Sequence, residues 1–404
     1  MTNNNSISFS GNLIDWLTII FIVLWSGGAI TYGTFGYWEL FLFPVFLWIY
    51  IKRKCYSKNA LILLILMLVV TLFQKIKFSG NNNAFLLAVI RWIDIYFIAS
   101  YLISTNKFCE IFVKFITVTS AISLVFWFVD LTSPGHSFLL SLADNIPQIG
   151  WDNMKNLDVT SAGDSKCLWF YTVRNEASIT SALTKNKGIF WEGGILAIYA
   201  NLALYINIFT RPNIKNRTNL ILLLTVISTF STTGYLALML LGCFVIVARK
   251  GFSVRSAALL LIFFTIAYGV MSLDFMTDKI AANRAEDSTL SRFGAMAYHW
   301  TQIVNSPFVG YGPFLTSSVA DLYTSPNGWT NLLRLWGFPM AIVFLVNLFK
   351  SSSIFIPDSN NLTRIGFMAL ALILVFSQTL STSIFYYFIY FVGSFKIAAN
   401  QNKS

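Results

Sequence analysis

Long apolar runs separated by short polar gaps make up most of the 404-residue chain. A helix that crosses a bilayer needs about 20 apolar residues, and fewer where protein covers it. Twelve segments fit this pattern: 13–30, 35–51, 61–78, 85–103, 111–131, 188–210, 220–230, 235–247, 257–270, 331–349, 365–380 and 384–397. Four of them form two close pairs around hydroxyl-rich turns. Ser231-Thr232-Thr233-Gly234 divides 220–247, and residues 377–383 divide 365–397. Each turn is either a break at membrane depth covered by protein or an ordinary turn between two short helices.

The gaps carry the orientation signal. Lys52, Arg53, Lys54 and Lys58 form one basic gap; Arg211, Lys215 and Arg217 a second; Arg249, Lys250 and Arg255 a third. None contains an acid, so all three are expected on the cytoplasmic side. Alternation through twelve spans puts them on one side together, with both termini inside. The expected fold is an all-α polytopic membrane protein with about 12 transmembrane helices and two long outward loops carrying short helices. Residues 1–131 hold helices 1 to 5, 132–187 the first loop, and 188–270 helices 6 to 9. The second loop occupies 271–330, and helices 10 to 12 fill 331–404.

Composition narrows the function classes. The chain is 56% hydrophobic and 11% charged, where soluble domains carry about 25% charged residues. That excludes a cytosolic enzyme and a disordered tail. The net charge of +11 sits in the short gaps, so the expected surroundings are a lipid bilayer and no nucleic acid. The first twelve residues lack Lys and Arg, and no small-residue cleavage site follows, so no removable signal peptide is expected. Cys55, Cys109, Cys167 and Cys243 lack zinc or redox spacing, and only Cys167 faces outward on this topology. Histidine occurs at His136 and His299 alone, and Glu286-Asp287 reads as a solvated loop. With no phosphate-binding or dinucleotide loop present, neither a metal nor a cofactor is expected.

The candidate chemistry lies in and beside the outward loops. Phe293, Met296, Ala297, Trp300, Ile303 and Val304 recur at helical spacing, which predicts an amphipathic helix over 292–306 on the outer surface. Arg292, His299 and Gln302 share its polar face, either as a site or as a solvated surface. Ser306-Pro307 ends the helix, and Gly310-Tyr311-Gly312 follows as a turn. Outward Arg174, Arg284 and Arg292 carry guanidinium groups, whose paired donors match a phosphate. Glu192, flanked by Trp191 where loop becomes helix, is a candidate general base or acid, or else a helix N-cap. Arg91 and Asp94 lie at i, i+3 inside the fourth span. They are expected to pair with each other, or Arg91 to line a cavity for a lipid diphosphate. Asp15, Glu39 and Lys114 are expected to reach the interface.

The order of these features resembles the Wzy-type O-antigen polymerase family, related to the O-antigen ligases. Gly188-Ile189-Phe190-Trp191-Glu192-Gly193-Gly194 is similar to its G-x-F-x-E-P-G element, with Gly193 in place of proline. Thr229-Phe230-Ser231-Thr232-Thr233-Gly234 resembles its membrane break. Arg292 through Gly312 resembles its R…P-x-x-G-x-G helix and turn. Ser325-Pro326-Asn327-Gly328-Trp329, followed by Gly337, resembles H-N-x-x-L-x-x-L-x-x-x-G. Pro326 replaces the ligase histidine, which favours polymerase over ligase.

The resemblance implies a glycosyltransferase of the bacterial inner membrane with a periplasmic active face. Its substrates would be undecaprenyl-diphosphate-linked repeat units, and a chain-length co-polymerase a further partner. Glu192 or His299 would take the acceptor proton, and Arg292 would act at the reacting centre. Arg174, Arg284, Arg292 and Arg91 would hold diphosphate, with Gly310, Gly312 and Asn327 at the substrate. Trp191, Trp300 and Trp329 would stack on sugars or anchor at the interface. The alternative class is a lipid-linked oligosaccharide flippase, expected to show charges along several spans and short outer loops.

Overall fold

The apolar runs fold as helices, and the polar residues between them cap those helices. The computed structural model describes residues 12–30, 37–78, 81–146, 165–174, 184–211, 215–251, 292–312, 327–357, 360–376 and 379–395, with isolated positions at 253, 258, 261 and 265. Helices α1 (Leu13–Trp25), α2 (Tyr37–Lys52), α3 (Lys58–Phe78), α4 (Asn82–Thr105) and α5 (Phe108–Asp130) come first. Helix α6 (Ser133–Asp144) and the antiparallel strands β1 (Ser165–Cys167) and β2 (Thr172–Arg174) follow. Then come α7 (Gly193–Thr210), α8 (Arg217–Ser228), α9 (Thr232–Lys250) and α10 (Arg292–Asn305). The chain ends in α11 (Gly328–Phe355), α12 (Asn361–Phe376), a 3-10 turn (Thr379–Thr382) and α13 (Ile384–Val392).

Side chains of Asn81, Asn216, Ser231, Asn327 and Ser383 accept from first-turn amides of α4, α8, α9, α11 and α13. Each such cap satisfies a donor that has no partner inside its helix. Helices α3, α4, α5, α7 and α11 are long and apolar enough to cross a membrane, so the chain is a helical multi-pass membrane protein. Every predicted span outside 257–270 falls on a helix; that segment lies almost wholly outside the described residues.

Polar contacts sort the helix ends into two groups. At one end the Ser100 hydroxyl donates to the Cys55 carbonyl, and Ser57 donates to the Ser394 carbonyl. The Cys109 thiol meets the Phe355 carbonyl, the Tyr205 hydroxyl donates to the Thr363 carbonyl, and Asn207 donates to Asn219. Phe244, on the last turns of α9, lies beside Gly366 and the Tyr205 hydroxyl. The described residues of the three basic gaps therefore share one end of the bundle. The opposite end collects 26–29, 184–193, 228–234 and 306–312.

Between the ends lies a buried aromatic core built on α13, whose nine residues are all buried. At roughly 14 Å, α13 is shorter than a lipid-facing span, and it is covered by protein, filling the space between α1, α4 and α11.

Three elements differ from the sequence expectation. Helix α1 stops at Trp25 rather than Ile30, because Gly27 and Gly28 bring the chain against α7 and the preceding turn. A Cβ on Gly27 would lie 2.7 Å from the Ile195 side chain, and the Ala29 amide donates to the Ile189 carbonyl. The first long loop contains a β-hairpin as well as a helix. Helix α11 is broken at Gly337 (φ 71°, ψ 173°), where 331–349 reads as continuous. Gly337 takes the left-handed region, and Pro339 restarts the helix without needing an amide partner.

The broken backbone is fully used. Tyr311 and Gly312 amides donate to the Arg334 and Leu335 carbonyls (2.8 and 3.0 Å), and the Phe338 amide donates to the Pro307 carbonyl (2.8 Å). Buried Gln74, on α3, donates through Nε2 to the Val309 and Leu335 carbonyls at 2.6 and 2.8 Å. Two glycines make the approach possible. A Cβ on Gly310 (φ 69°) would lie 2.5 Å from the Leu335 carbonyl carbon, and one on Gly337 2.6 Å from that of Phe308. Gly310→Ala or Gly337→Ala should each lower stability by more than about 2 kcal/mol through strain and overlap, whereas Gly251→Ala, in open space, should cost about 1 kcal/mol. Thermal unfolding in detergent checks the order; equal melting temperatures for the three variants would refute the interlocked turn.

Candidate functional site

Helix α10 lies against the start of α11, and the two present polar faces to each other. His299, Ile303 and Ser306 are buried, with Gln302 half-buried beside them, at the i, i+3, i+4, i+7 spacing of one helix face. Asn327, Asn331 and Arg334 recur on the facing side of α11. His299 Nδ1 meets the Thr330 hydroxyl at 2.8 Å. The Arg334 guanidinium donates to Asn331 Oδ1 through Nε and Nη2 (3.3 and 3.0 Å), and to Gln302 Oε1 through Nη1 (3.4 Å). Asn327 Oδ1 accepts from the Trp329 and Thr330 amides (3.1 and 3.2 Å), while its Nδ2 is buried without a partner among the described residues. An arginine, an imidazole and three amides thus form one buried polar cluster. Gly310 and Gly312 complete it from below, since their turn pairs with the backbone of Arg334 and Leu335.

The orientation of α10 corrects the sequence reading. His299 faces protein, with 2% of its surface exposed, and is not on a solvated face. Met296, Trp300 and Val304 point outward instead, with Phe308 just beyond. The helix is amphipathic as predicted, but its polar side is the inner one. Of Arg292 only the backbone is described, and Arg284 lies outside the described residues.

Glu192 belongs to a second polar region. It is the N-cap residue of α7, half-buried, and its carbonyl accepts from Ile195 and Leu196 amides. Buried Asn186 organises this turn. Its Nδ2 donates to the Ser123 and Ser228 hydroxyls (3.2 and 2.9 Å), and its Oδ1 accepts from the Gly188 amide. A Cβ on Gly193 would lie 3.0 Å from the Asn186 carbonyl oxygen and 3.1 Å from that of Thr229. The start of α7 is therefore packed directly on the α8–α9 break.

Arg174 ends β2, exposed and opposite Ser165. Lys187 donates to the Ser165 hydroxyl at 2.5 Å, which ties this hairpin to the Glu192 turn. The hairpin rests on α6 through Leu139, Ala143, Leu168, Tyr171 and Val173, with a Lys166–Asp144 ion pair at its edge. Beneath it, buried Asp130 accepts from the Tyr171 hydroxyl (2.7 Å) and meets His136 Nδ1 (2.7 Å). Burial pushes the Cys167 thiol up to about 11, which leaves it a poor nucleophile.

Arg91 does not pair with Asp94. Its Nε contacts Glu39 Oε1 on α2 at 2.6 Å. Helix α2 starts about a third of the way along α4, so Glu39 meets Arg91 inside the bundle and is 2% exposed rather than interfacial. Asp15 is likewise buried, accepting from the Tyr101 hydroxyl at 2.6 Å, and Lys114 lies over the Trp16 ring. Phe21, Glu39, Phe46, Arg91, Asp94, Ile95, Ile98 and Ile384 line a crevice with room for about one water, too small for a lipid diphosphate.

Arg334, Asn331, Gln74 and Asn186 were absent from the expected set. The available signal was polarity inside apolar runs, where such residues are costly and face the protein interior. Arg334 and Gln74 both sit within predicted spans.

Tyr171 gives this outer layer a pH dependence. Burial, then the Asp130 carboxylate, raise its phenol well above 10. The folded state thus favours the neutral phenol. Its contribution is complete below about pH 10 and is lost above that value, where the unfolded chain ionises first. Limited proteolysis within 132–187 should accelerate on raising the pH past 10, and Tyr171→Phe should remove that acceleration; an unchanged pH profile in the variant would contradict the assignment. Comparison with protein-family models, curated proteins and solved structures finds no match to this chain.

Proposed function

We propose that the chain is a glycosyltransferase that polymerises undecaprenyl-diphosphate-linked repeat units at the outer face of a bacterial inner membrane. The product would be O-antigen or a related surface polysaccharide. The buried α10–α11 cluster carries this reading. A guanidinium held by amides, beside an imidazole and an unpartnered amide donor, suits an oxyanion that departs inside an apolar setting. The cluster lies at the end of the bundle opposite the basic gaps, the outer end by the positive-inside rule. The apolar outer side of α10 suits the lipid boundary where the carrier's chain would lie.

In this scheme Arg334 neutralises the departing diphosphate, with Arg292 and Arg284 as further cations on the outer loop. The acceptor hydroxyl attacks the anomeric carbon of the growing chain, the bond from that carbon to diphosphate breaks, and His299 takes the hydroxyl proton. Glu192 is the alternative base. Gly310 and Gly312 let backbone approach the sugars, and Arg174 contacts the glycan from the hairpin. Twelve spans, with both termini inside, complete the topology, and a chain-length co-polymerase is the expected partner.

One observation favours a transporter as the second reading. Asp15, Glu39, Arg91 and Asp94 place buried charges in α1, α2 and α4, where a translocation path would need them. Arg334→Ala separates the two readings. For the polymerase it should cut long-chain glycan at least tenfold on a lipopolysaccharide gel while single repeat units still reach the surface. A normal ladder would contradict the Arg334 assignment, and loss of single-unit product in a deletion strain would favour the transporter.

A further inference from the structure

The crevice between α1, α2, α4 and α13 contains more negative than positive charge. Glu39 Oε1 is bound by Arg91, but Glu39 Oε2 and both oxygens of Asp94 are buried and without a hydrogen-bond partner among the described residues. Asp94 is 4% exposed and lines the crevice directly. It lies roughly 18 Å along α4, near the middle of a hydrocarbon layer about 30 Å thick. Two carboxylates against one guanidinium leave one uncompensated negative charge, and an unpaired buried charge costs several kcal/mol.

The neighbouring elements supply nothing to cancel it. Among the described residues, α1 contributes Phe21 and α13 Ile384, while Phe46, Ile95 and Ile98 close the walls. Helix α3, also packed on α4, carries Lys75 and Lys77 in its last turn, outside this lining. The phenols Tyr96 on α4, Tyr50 on α2 and Tyr387 on α13 are not among the lining residues either. The space is too small for a hydrated ion, and among the described lining residues only Glu39 and Asp94 carry side-chain oxygens.

We propose that Glu39, Arg91 and Asp94 form an intramembrane proton-binding site, in which the two carboxylates share one exchangeable proton taken from water. Binding breaks one O–H bond of hydronium, releases water, forms one carboxyl O–H bond, and leaves the site with one carboxylate, one carboxylic acid and one guanidinium. The Arg91 side chain, unlike the two carboxylates, is partly exposed. This site is independent of the glycosyl-transfer reading and stands if that reading fails.

The test is infrared difference spectroscopy on the full-length protein in lipid nanodiscs. The wild type should show a protonated-carboxyl band that shifts in D2O and bleaches on alkaline titration. Asp94→Asn should lose the band. Glu39→Gln should lose it too, because one remaining carboxylate then suffices for Arg91. Isotope labelling of aspartate and glutamate in the wild type gives the same information should either variant fail to fold. The proposal is overturned by an unchanged band in both folded variants, by its absence from the labelled wild type, or by its displacement on replacing choline with sodium. Persistence in Glu39→Gln alone also overturns the shared-charge arrangement.

Discussion

A backbone carbonyl or amide left without a partner in hydrocarbon costs several kcal/mol, and α11 breaks its hydrogen-bond ladder at Gly337. The surrounding structure answers that constraint. The turn 307–312 lies against the break so that amides and carbonyls exchange between them, and Gln74 reaches across from α3 to two carbonyls. Gly310 and Gly337 are glycines because each Cβ would occupy the other segment's backbone. The same exchange fixes where α10 ends, since Pro307 is both its stop signal and an acceptor for Phe338. Position and rigidity of the α10–α11 cluster follow from this one junction.

The junction also touches the aromatic core. Trp336, immediately before Gly337, donates to the Tyr387 hydroxyl and packs on Trp92. Trp92 follows Arg91 in sequence and donates to Thr71. An aromatic contact therefore joins Trp92, the neighbour of Arg91 in sequence, to Trp336 beside the break at Gly337. Dense packing of this kind transmits displacement rather than absorbing it. The outer hairpin stands apart from that contact. It rests on α6, and Asp130 and Lys187 join it to α5 and the Glu192 turn.

Much of the helical framework was legible because apolar runs and basic gaps follow directly from the solvent that a membrane provides. Three spans read three residues short at their starts (85, 220 and 235), because the polar first turns capped by Asn81, Asn216 and Ser231 do not register as apolar. What escaped was tertiary. The period of 292–306 gives an amphipathic helix but not which side meets protein, and in a bilayer the polar side of α10 turns inward. The i, i+3 spacing of Arg91 and Asp94 suggests a pair, yet Glu39 from another helix takes the guanidinium. Arg334 lay inside an apparent span, where Asn331 one turn earlier and Gln302 from α10 hold its guanidinium. Asn186 looks like an ordinary loop residue until the α8–α9 break packs on it. Arg284 lies outside the described residues and Arg292 is described only in its backbone, so the cluster of outward arginines expected from the loops is represented by Arg174 alone, on the hairpin.

Direct measurement of lipid-diphosphate binding tests the central claim most sharply. Native mass spectrometry of the full chain, titrated with undecaprenyl diphosphate, should show saturable retention that Arg334→Gln weakens at least tenfold. Undecaprenyl phosphate, with one phosphate fewer, should bind more weakly to the wild type. Equal retention by wild type and variant, with both folded, would contradict the assignment of the α10–α11 cluster as the diphosphate site.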